Sequence, residues 1–598
     1  MDRNTFTGLF LIMIILAGGV FFMRPSEAEV KREQQVQDSI KNAGKKKPAA
    51  TQQNVVANVP KAVDSAALKG PFGANMTGTE QTTVIENENL RITLSNLGGK
   101  IQSVEIKNQK TYGKKPLILF DGSENKFGFN FNINGKPFNT NNLYFTATKT
   151  ANGATMRANY SENQYIDFTY NIPANGYNVD FNVNVNGLNQ VVQGNTISLN
   201  WEATLLQQEK DAKKEQEHSG PYFKYEKENP DHLNLHKDEK KELTEGKIEW
   251  FSFKQHFFSA VLIPTTPFEK GDLEIKTLAE PGKIKWYNAN MQLAFNQQPT
   301  QNYGFKFYFG TNKFSVLKEQ GHEIEKQVDL GYWPLKYINR FVVLPVFNLL
   351  EGFNWGYGLI ILVLTILLKL AMSPLTYKSY VSMAKMRVLK PEMDEIKAKV
   401  GEDNPTLLQQ EYLKLYKQVG VNPLGGCLPM LLQLPFVMAF FFFFPNLFEL
   451  RGESFLWMKD LSTYDDFIKF GFTVPFIGDH LSLMCILMTV STLIYTYFNN
   501  QISGATGQMK YIGYIMPIIF LGVLNSYPSG LNYYYFLANM LTFLQQFIIR
   551  KMVDDTKIHA ILQENKAKPK VEKKKSGFQA RLEDYMRQQQ QQANQKKK

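Results

Sequence analysis

One lysine is conspicuous before anything else is known about this chain. Five apolar runs in the second half, 355–376, 424–445, 481–499, 512–527 and 531–549, contain Lys369 and, tyrosines and cysteines aside, no other ionisable side chain. An ammonium at the centre of a helix in hydrocarbon costs about 2.5–3.5 kcal/mol on insertion scales, so it needs polar or watery surroundings, or must snorkel to the headgroups. The neighbouring residues favour the first alternative. Thr365, Lys369 and Ser373 are spaced i, i+4, i+8 and share one helix face. In the last run Asn532, Tyr535, Asn539, Thr542 and Gln546 follow a 3, 4, 3, 4 spacing, Ser482, Thr489, Thr492 and Thr496 form a stripe in 481–499, and Gln433 adds an amide in 424–445. Single polar residues of this kind are usually interhelical glue. Several aligned stripes around one cation point instead to a shared hydrophilic cavity.

Other chemistry finds little support. No G-x-x-x-x-G-K-[ST] loop is present to hold a nucleotide. The two cysteines, Cys427 and Cys485, lie inside apolar runs and suit neither a metal cluster nor an exported disulfide framework. His218, His232, His236 and His256 lack metal-ligand or acid/base spacing. The expectation is therefore no catalytic residue, no metal and no cofactor.

The elements that must position Lys369 follow from length and pattern. The 598 residues carry a net charge of +12, and the mean hydropathy of −0.29 conceals two different halves. Phe6–Met23 is an apolar run flanked by Arg3 and Arg24, read as an uncleaved transmembrane anchor (1–24) rather than a signal peptide, and 25–79 as a disordered tether. Strict alternation follows at Leu90, Ile92, Leu94, then Phe127, Phe129, Phe131, Ile133, then Val179, Phe181, Val183, Val185, and Phe305, Phe307, Phe309. Period two places these side chains on one strand face, so 80–320 is expected to be an all-β sandwich, with Lys210 to Lys247 a charged excursion from it. Residues 333–353 carry Lys336, Arg340 and Glu351 among apolar residues and read as an amphipathic interfacial helix.

The five later runs match a bilayer's thickness, and Pro423, Pro429, Pro435, Pro445 and Pro517 interrupt two of them. The segment 377–422 reads as a helical hairpin: Met383, Met386, Leu389, Met393, Ile396 and Val400 form one arm, and Leu408, Tyr412, Leu415 and Val419 the other. Its methionines suit varied apolar partners or a plain seam between the arms. Eight Lys/Arg in 377–423, and fourteen against six acids in the tail 550–598, place both segments in the cytoplasm by the positive-inside rule. The β-domain then lies outside and both termini inside. Lys566, Lys568, Lys570, Lys573, Lys574 and Lys575 lie well beyond the last span and fit ribosomal RNA or anionic lipid.

At several points the residues resemble a known family. Asn354-Trp355-Gly356, Ser373-Pro374-Leu375-Thr376, Met383-Ala384-Lys385-Met386-Arg387, the run Val421 to Pro429, and Pro528-Ser529-Gly530-Leu531 look like motifs of the YidC/Oxa/Alb insertases, in that family's order. The resemblance covers about 333–552, and Asn96-Leu97-Gly98-Gly99 with Trp250 to Pro264 resembles the exported domain of the Gram-negative branch. It implies six transmembrane helices with a five-helix core, a periplasmic β-supersandwich, and an inner-membrane location. It also implies insertion of nascent membrane proteins without nucleotide hydrolysis, with the Sec translocon, ribosome, signal recognition particle pathway and membrane lipids as partners. Lys369 stands where the family usually has arginine, which keeps the charge and loses the planar fork. By the same resemblance Thr365 is a groove position and Tyr534 the groove tyrosine, with Tyr535 the alternative one residue on. Met383, Met386, Arg387 and Met393 then become client or partner contacts. A transporter or channel using the same cavity is the competing reading, and a membrane-tethered carbohydrate-active β-domain a third.

Overall fold

The computed structural model describes residues 72–401, 405–421, 428–503 and 508–567. The expected anchor 1–24, most of the tether 25–79, and Lys568, Lys570, Lys573, Lys574 and Lys575 lie outside the described residues.

The alternating segments form strands, and the strands form three antiparallel sheets. A nine-stranded sheet has Thr300–Thr311 and Asn178–Asn186 near its centre, a six-stranded sheet has Lys283–Ala294 and Thr196–Leu206, and a four-stranded sheet spans Thr82–Ile118. The two larger sheets meet face to face through aromatic rings. Phe127 of the six-stranded sheet lies 5.6 Å from both Phe181 and Phe307 of the nine-stranded sheet, and Trp201 lies 4.6 Å from Phe253. Rings at these separations bury large apolar areas at favourable edge-to-face and tilted angles, which explains the phenylalanine-rich alternation.

Residues 210–247 are not an excursion. They contribute helix α1 (Ala212–Glu217) and strands Gly220–Tyr225, Asp231–His232 and Glu239–Leu243, which enter both large sheets. Every residue of Gly220–Tyr225 is buried, so the alternation cue is missing. Its lysine is paired: Lys224 bonds Glu249.

After helix α2 (Phe314–Glu319), the segment 335–351 is one interrupted helix: α3 (Leu335–Ile338), a π-turn (Asn339–Val343) and α4 (Leu344–Glu351). Tyr337, Phe341 and Leu349 are exposed along it, and Trp333 and Phe353 beside its ends.

Helix α5 (Tyr357–Val388) is 32 residues long and runs through Pro374 without stopping. It is the one described helix long and apolar enough to cross a membrane by length and composition; Gln433–Asn446 and Tyr511–Leu524 are shorter apolar stretches. The first arm of the hairpin is thus two helices, α5 and α6 (Lys390–Val400), rather than one. The break falls just before Lys390-Pro391, where the proline, which lacks an N–H, takes its best-tolerated place in the first turn of the new helix. The second arm is α7 (Pro405–Val419). The remaining helices are α8 (Leu428–Asn446), α9 (Leu483–Ser503), α10 (Gln508–Leu524), α11 (Ser529–Met552) and α12 (Asp555–Ala567). Helix α11 packs on α5, α8 and α9, whereas α10 leans mainly on α9. The segment between α8 and α9 contains a hairpin, Ile468–Val474 with Gly478–Leu481, that the sequence pattern did not announce.

Candidate functional site

Helices α5, α8, α9, α10 and α11 line a cavity of about 1160 Å³. Lys369 lines it and is 8% exposed. Its Nζ donates to Thr542 Oγ1 of α11 at 2.9 Å. Among the described residues no carboxylate reaches it. The cavity therefore holds a cation whose charge is solvated only by a hydroxyl and by whatever enters the cavity.

The polar stripes divide between wall and scaffold. Asn539, Thr542 and Gln546 of α11, Thr492 of α9 and Gln433 of α8 line the cavity. Asn539 donates to Ser491 Oγ and Thr492 Oγ1, each at 2.9 Å, tying α11 to α9. Thr365 does not line the cavity: it is 0% exposed and donates to Ile361 O at 2.6 Å within its own helix. Ser373, also absent from the lining, donates to Lys369 O at 2.9 Å. A helix face spans more than 100°, so residues at i, i+4 and i+8 share a face without all reaching one opening.

Gln545, absent from the stripe inferred by spacing, proves to be a joint between α5 and α11. Its Nε2 donates to Lys369 O and to Ser373 Oγ, each at 2.9 Å. A seven-residue spacing selects Gln546 and passes over its neighbour; only the helix crossing reveals Gln545. Its Oε1 and the Tyr535 hydroxyl are buried without a hydrogen-bond partner. Such atoms are costly unless a further group meets them.

Tyr534 and Tyr535 both line the cavity. Tyr534 packs its ring 4.4 Å from Phe440 and Tyr535 lies 5.8 Å from Phe441, so both rings also hold α11 against α8.

Below Lys369 the wall continues along α5 through Met383 and Met386. Met393 stands elsewhere, in the seam of the hairpin, with its sulfur accepting from the Tyr416 hydroxyl at 3.2 Å. Arg387 Nη2 donates to both carboxylate oxygens of Asp555 of α12, each at 2.7 Å. Lys566, read from sequence as part of a free basic tail, pairs with Glu392 at 3.1 Å.

The outer end of the cavity is walled by the β-domain, a contribution that no sequence motif signalled. Glu209, Lys214, His218, Lys254 and His256 line it there. Several contacts hold the two parts together. His256 Nε2 donates to Pro445 O at 2.8 Å. Arg451 donates to Glu209 at 2.7 Å and to Lys110 O at 2.8 Å, with its guanidinium 4.8 Å above the Phe258 ring. Lys210 pairs with Asp466 at 3.3 Å. The rings of His218 and His256 stack at 4.4 Å. Burial, then the nearby Lys254, pushes His218 down to about 3, and burial with His218 beside it lowers His256. Both rings are neutral at ordinary pH. Among the described residues no cluster of three or more His, Cys, Asp or Glu has the arrangement of a metal site.

Comparison with known proteins places this arrangement in context. Residues 349–557 match the family described as 60Kd inner membrane protein, and residues 82–345 match the YidC periplasmic domain. A protein of Bacteroides fragilis named membrane protein insertase YidC is 40% identical over 620 residues, covering 100% of this chain and 99% of its own. The protein of the same name from Parabacteroides distasonis is 37% identical, covering 99% and 98%. A solved structure described as an active YidC insertase with its first transmembrane domain resolved covers 79% of this chain and 93% of its own, at 19% identity and a TM-score of 0.33.

Proposed function

The chain belongs to the YidC family of membrane protein insertases, an inner-membrane family with a periplasmic domain, and from that premise we propose that the cavity around Lys369 is the path by which nascent membrane proteins enter the bilayer. The observation that carries this reading is Lys369, a buried cation that no carboxylate among the described residues answers, facing a cavity in which side-chain amides and hydroxyls stand among apolar residues such as Leu434, Val437, Phe441 and Met488.

The physics is that of a lowered barrier. A short hydrophilic segment of a client meets amide and hydroxyl partners in the cavity instead of hydrocarbon, and its acidic residues are drawn to Lys369. Two unit charges 4 Å apart attract by about 4 kcal/mol at an effective dielectric of 20. The client's apolar helix then leaves along the lipid-exposed flank, driven by its own hydrophobic transfer. The unpartnered Gln545 Oε1 and Tyr535 hydroxyl give an arriving peptide or water further groups to bond. No nucleotide is consumed.

In this reading the chain has six spans, one before the β-supersandwich and five in the core, with both termini cytoplasmic. The hairpin α6–α7 and the Met383/Met386 wall stand at the cytoplasmic entrance, where adaptable methionines suit varied apolar clients. The basic tail serves ribosome or lipid contact, and Sec components and the signal recognition particle pathway act upstream or alongside. The transporter reading gains nothing from the relatives described above, which are named as insertases.

Depletion of the protein tests the proposal. Insertion of a small one- or two-span client, scored by protease protection, should fall on depletion and return with the wild-type chain; unchanged insertion overturns the reading.

A further inference from the structure

The hairpin between α8 and α9 carries an unusual surface. Between Lys469 and Asp479 the residues are Phe470, Gly471, Phe472, Thr473, Val474, Pro475, Phe476, Ile477 and Gly478, with no charge among them. Phe472 is 69% exposed and Phe476 at the tip is 94% exposed, while Phe467 and Ile468 are also exposed. Phe470 and Phe472 sit on the same strand face with rings 5.9 Å apart. Phe476 takes a left-handed backbone conformation (φ 69°), which is sterically costly for a bulky side chain. Water gives no return for displaying a phenylalanine in this way.

Charges gather instead at the base. Lys469 pairs with Asp466 at 2.6 Å, and Asp479 bonds His480 at 2.9 Å. The base is also the rigid part. Buried Asn525, at the end of α10, donates to Ile477 O at 2.8 Å and His480 O at 2.7 Å and accepts from Ser482 N at 2.9 Å. The His480 ring stacks on Tyr464 at 3.7 Å. A two-stranded ribbon is marginal alone; this one is clamped to the helical core.

Its position decides what the tip meets. A Cβ added at Gly522 would lie 2.8 Å from Phe476 O, so the tip backbone rests directly on α10. Gly522 is two residues before the end of α10, about 3 Å along the axis. The same helix exposes Ile515, Ile518, Ile519 and Val523, the face that lipid covers if α10 spans the bilayer. The hairpin's apolar tip is continuous with that face.

We propose that the hairpin Ile468–Leu481 is an outer-leaflet anchor, with Phe472 and Phe476 seated among lipid headgroups and upper acyl chains beside α10. The partner is the lipid bilayer itself. Clamped through Asn525, the anchor fixes the depth of the outer loop that carries Arg451 and Asp466 to the β-domain. The proposal rests on the reading that α10 crosses the membrane, and its test separates the two.

Nitroxide is attached at Phe476→Cys, Phe472→Cys or Ile518→Cys in the full chain with Cys427→Ser, buried Cys485 being kept. Each protein is reconstituted in phosphatidylethanolamine/phosphatidylglycerol liposomes, and power saturation compares oxygen with a water-soluble nickel chelate as relaxant. The expected result is that oxygen outweighs nickel at 518 and, at a shallower depth, at 472 and 476. Nickel outweighing oxygen at 472 and 476 while 518 stays lipid-exposed overturns the anchor alone. Low access to both relaxants at 476 means protein covers the tip, and also overturns it. Nickel access at 518 overturns the spanning reading first and the anchor with it.

Discussion

At the scale of single residues, the positioning of Lys369 explains why a lysine can occupy this helix. Its ammonium is held by one hydroxyl, Thr542 Oγ1, and Thr542 itself donates to Ala538 O at 2.6 Å. Removing that hydroxyl should leave the charge but loosen its position. Thr542→Val is expected to lower client insertion severalfold and to leave the chain folded, as read by protease protection alongside detergent-solution size. The stacked histidines give a second prediction. His218 and His256 are neutral in the folded protein and bind protons in the unfolded chain near the ordinary value of 6.5. Their contribution to stability is present above pH 6.5 and is lost as pH falls from there toward about 3. The acid limb of thermal unfolding of the full chain should flatten in the His218→Gln/His256→Gln variant; an unaltered limb removes the histidines from the account.

At the scale of elements, hydropathy and spacing located the strands and the apolar runs but not where helices end. Alternation identified Phe127 to Ile133 and Val179 to Val185 because each strand has one fully buried apolar face and a second face that is mostly polar and less buried. It missed Gly220–Tyr225, buried on both faces. It also missed lysines at home in the β-core: Lys285 donates to Ser219 O and Leu235 O, and Lys254 to His218 O, so backbone carbonyls take the place of counter-charges. The run Met383 to Val400 has one helical period throughout, and only the chain geometry shows the break at Pro391. The cavity was legible as stripes on α9 and α11, whereas Gln545 and the β-domain wall depend on how distant segments cross. The hairpin itself rests on a small core of Ala384, Leu389, Leu415, Tyr416 and Val419, completed by Ile558 and Leu562 of α12. Leu415→Ala there should cost about 2–5 kcal/mol. Limited proteolysis is expected to cut within 377–422 markedly faster in that variant, with the β-domain unaffected.

At the scale of the whole molecule, the β-domain is fastened to the core by an apolar cluster, in which Trp250, Val261 and Tyr308 are continuous with Phe347, Phe443 and Leu447 of the helices, and by a few polar links. Arg451 is the principal one, with its guanidinium and the Glu209 carboxylate both largely buried. Burial pushes the Glu209 carboxyl up while Arg451 beside it pulls it down. Taking away one partner of a buried pair typically costs about 3–5 kcal/mol, because the other charge is stranded. Arg451→Ala should therefore speed hydrogen exchange in 109–112 and 460–481 while the sheets stay protected; equal exchange in both proteins would mean that other contacts suffice. The β-domain in turn walls the outer end of the cavity, so the insertion path, as proposed, opens inward and toward lipid.

The central claim, that an uncompensated buried charge draws clients into the cavity, is tested most directly at Lys369. In depleted cells complemented with Lys369→Ala or Lys369→Arg, insertion of a single-span client with acidic residues in its exported segment is scored by protease protection, beside the same client with those residues neutralised. The account predicts that Lys369→Ala lowers insertion of the acidic client by about tenfold, the equivalent of roughly 1.4 kcal/mol, that the neutralised client is much less affected, and that Lys369→Arg retains function. Wild-type insertion of the acidic client by Lys369→Ala would contradict it.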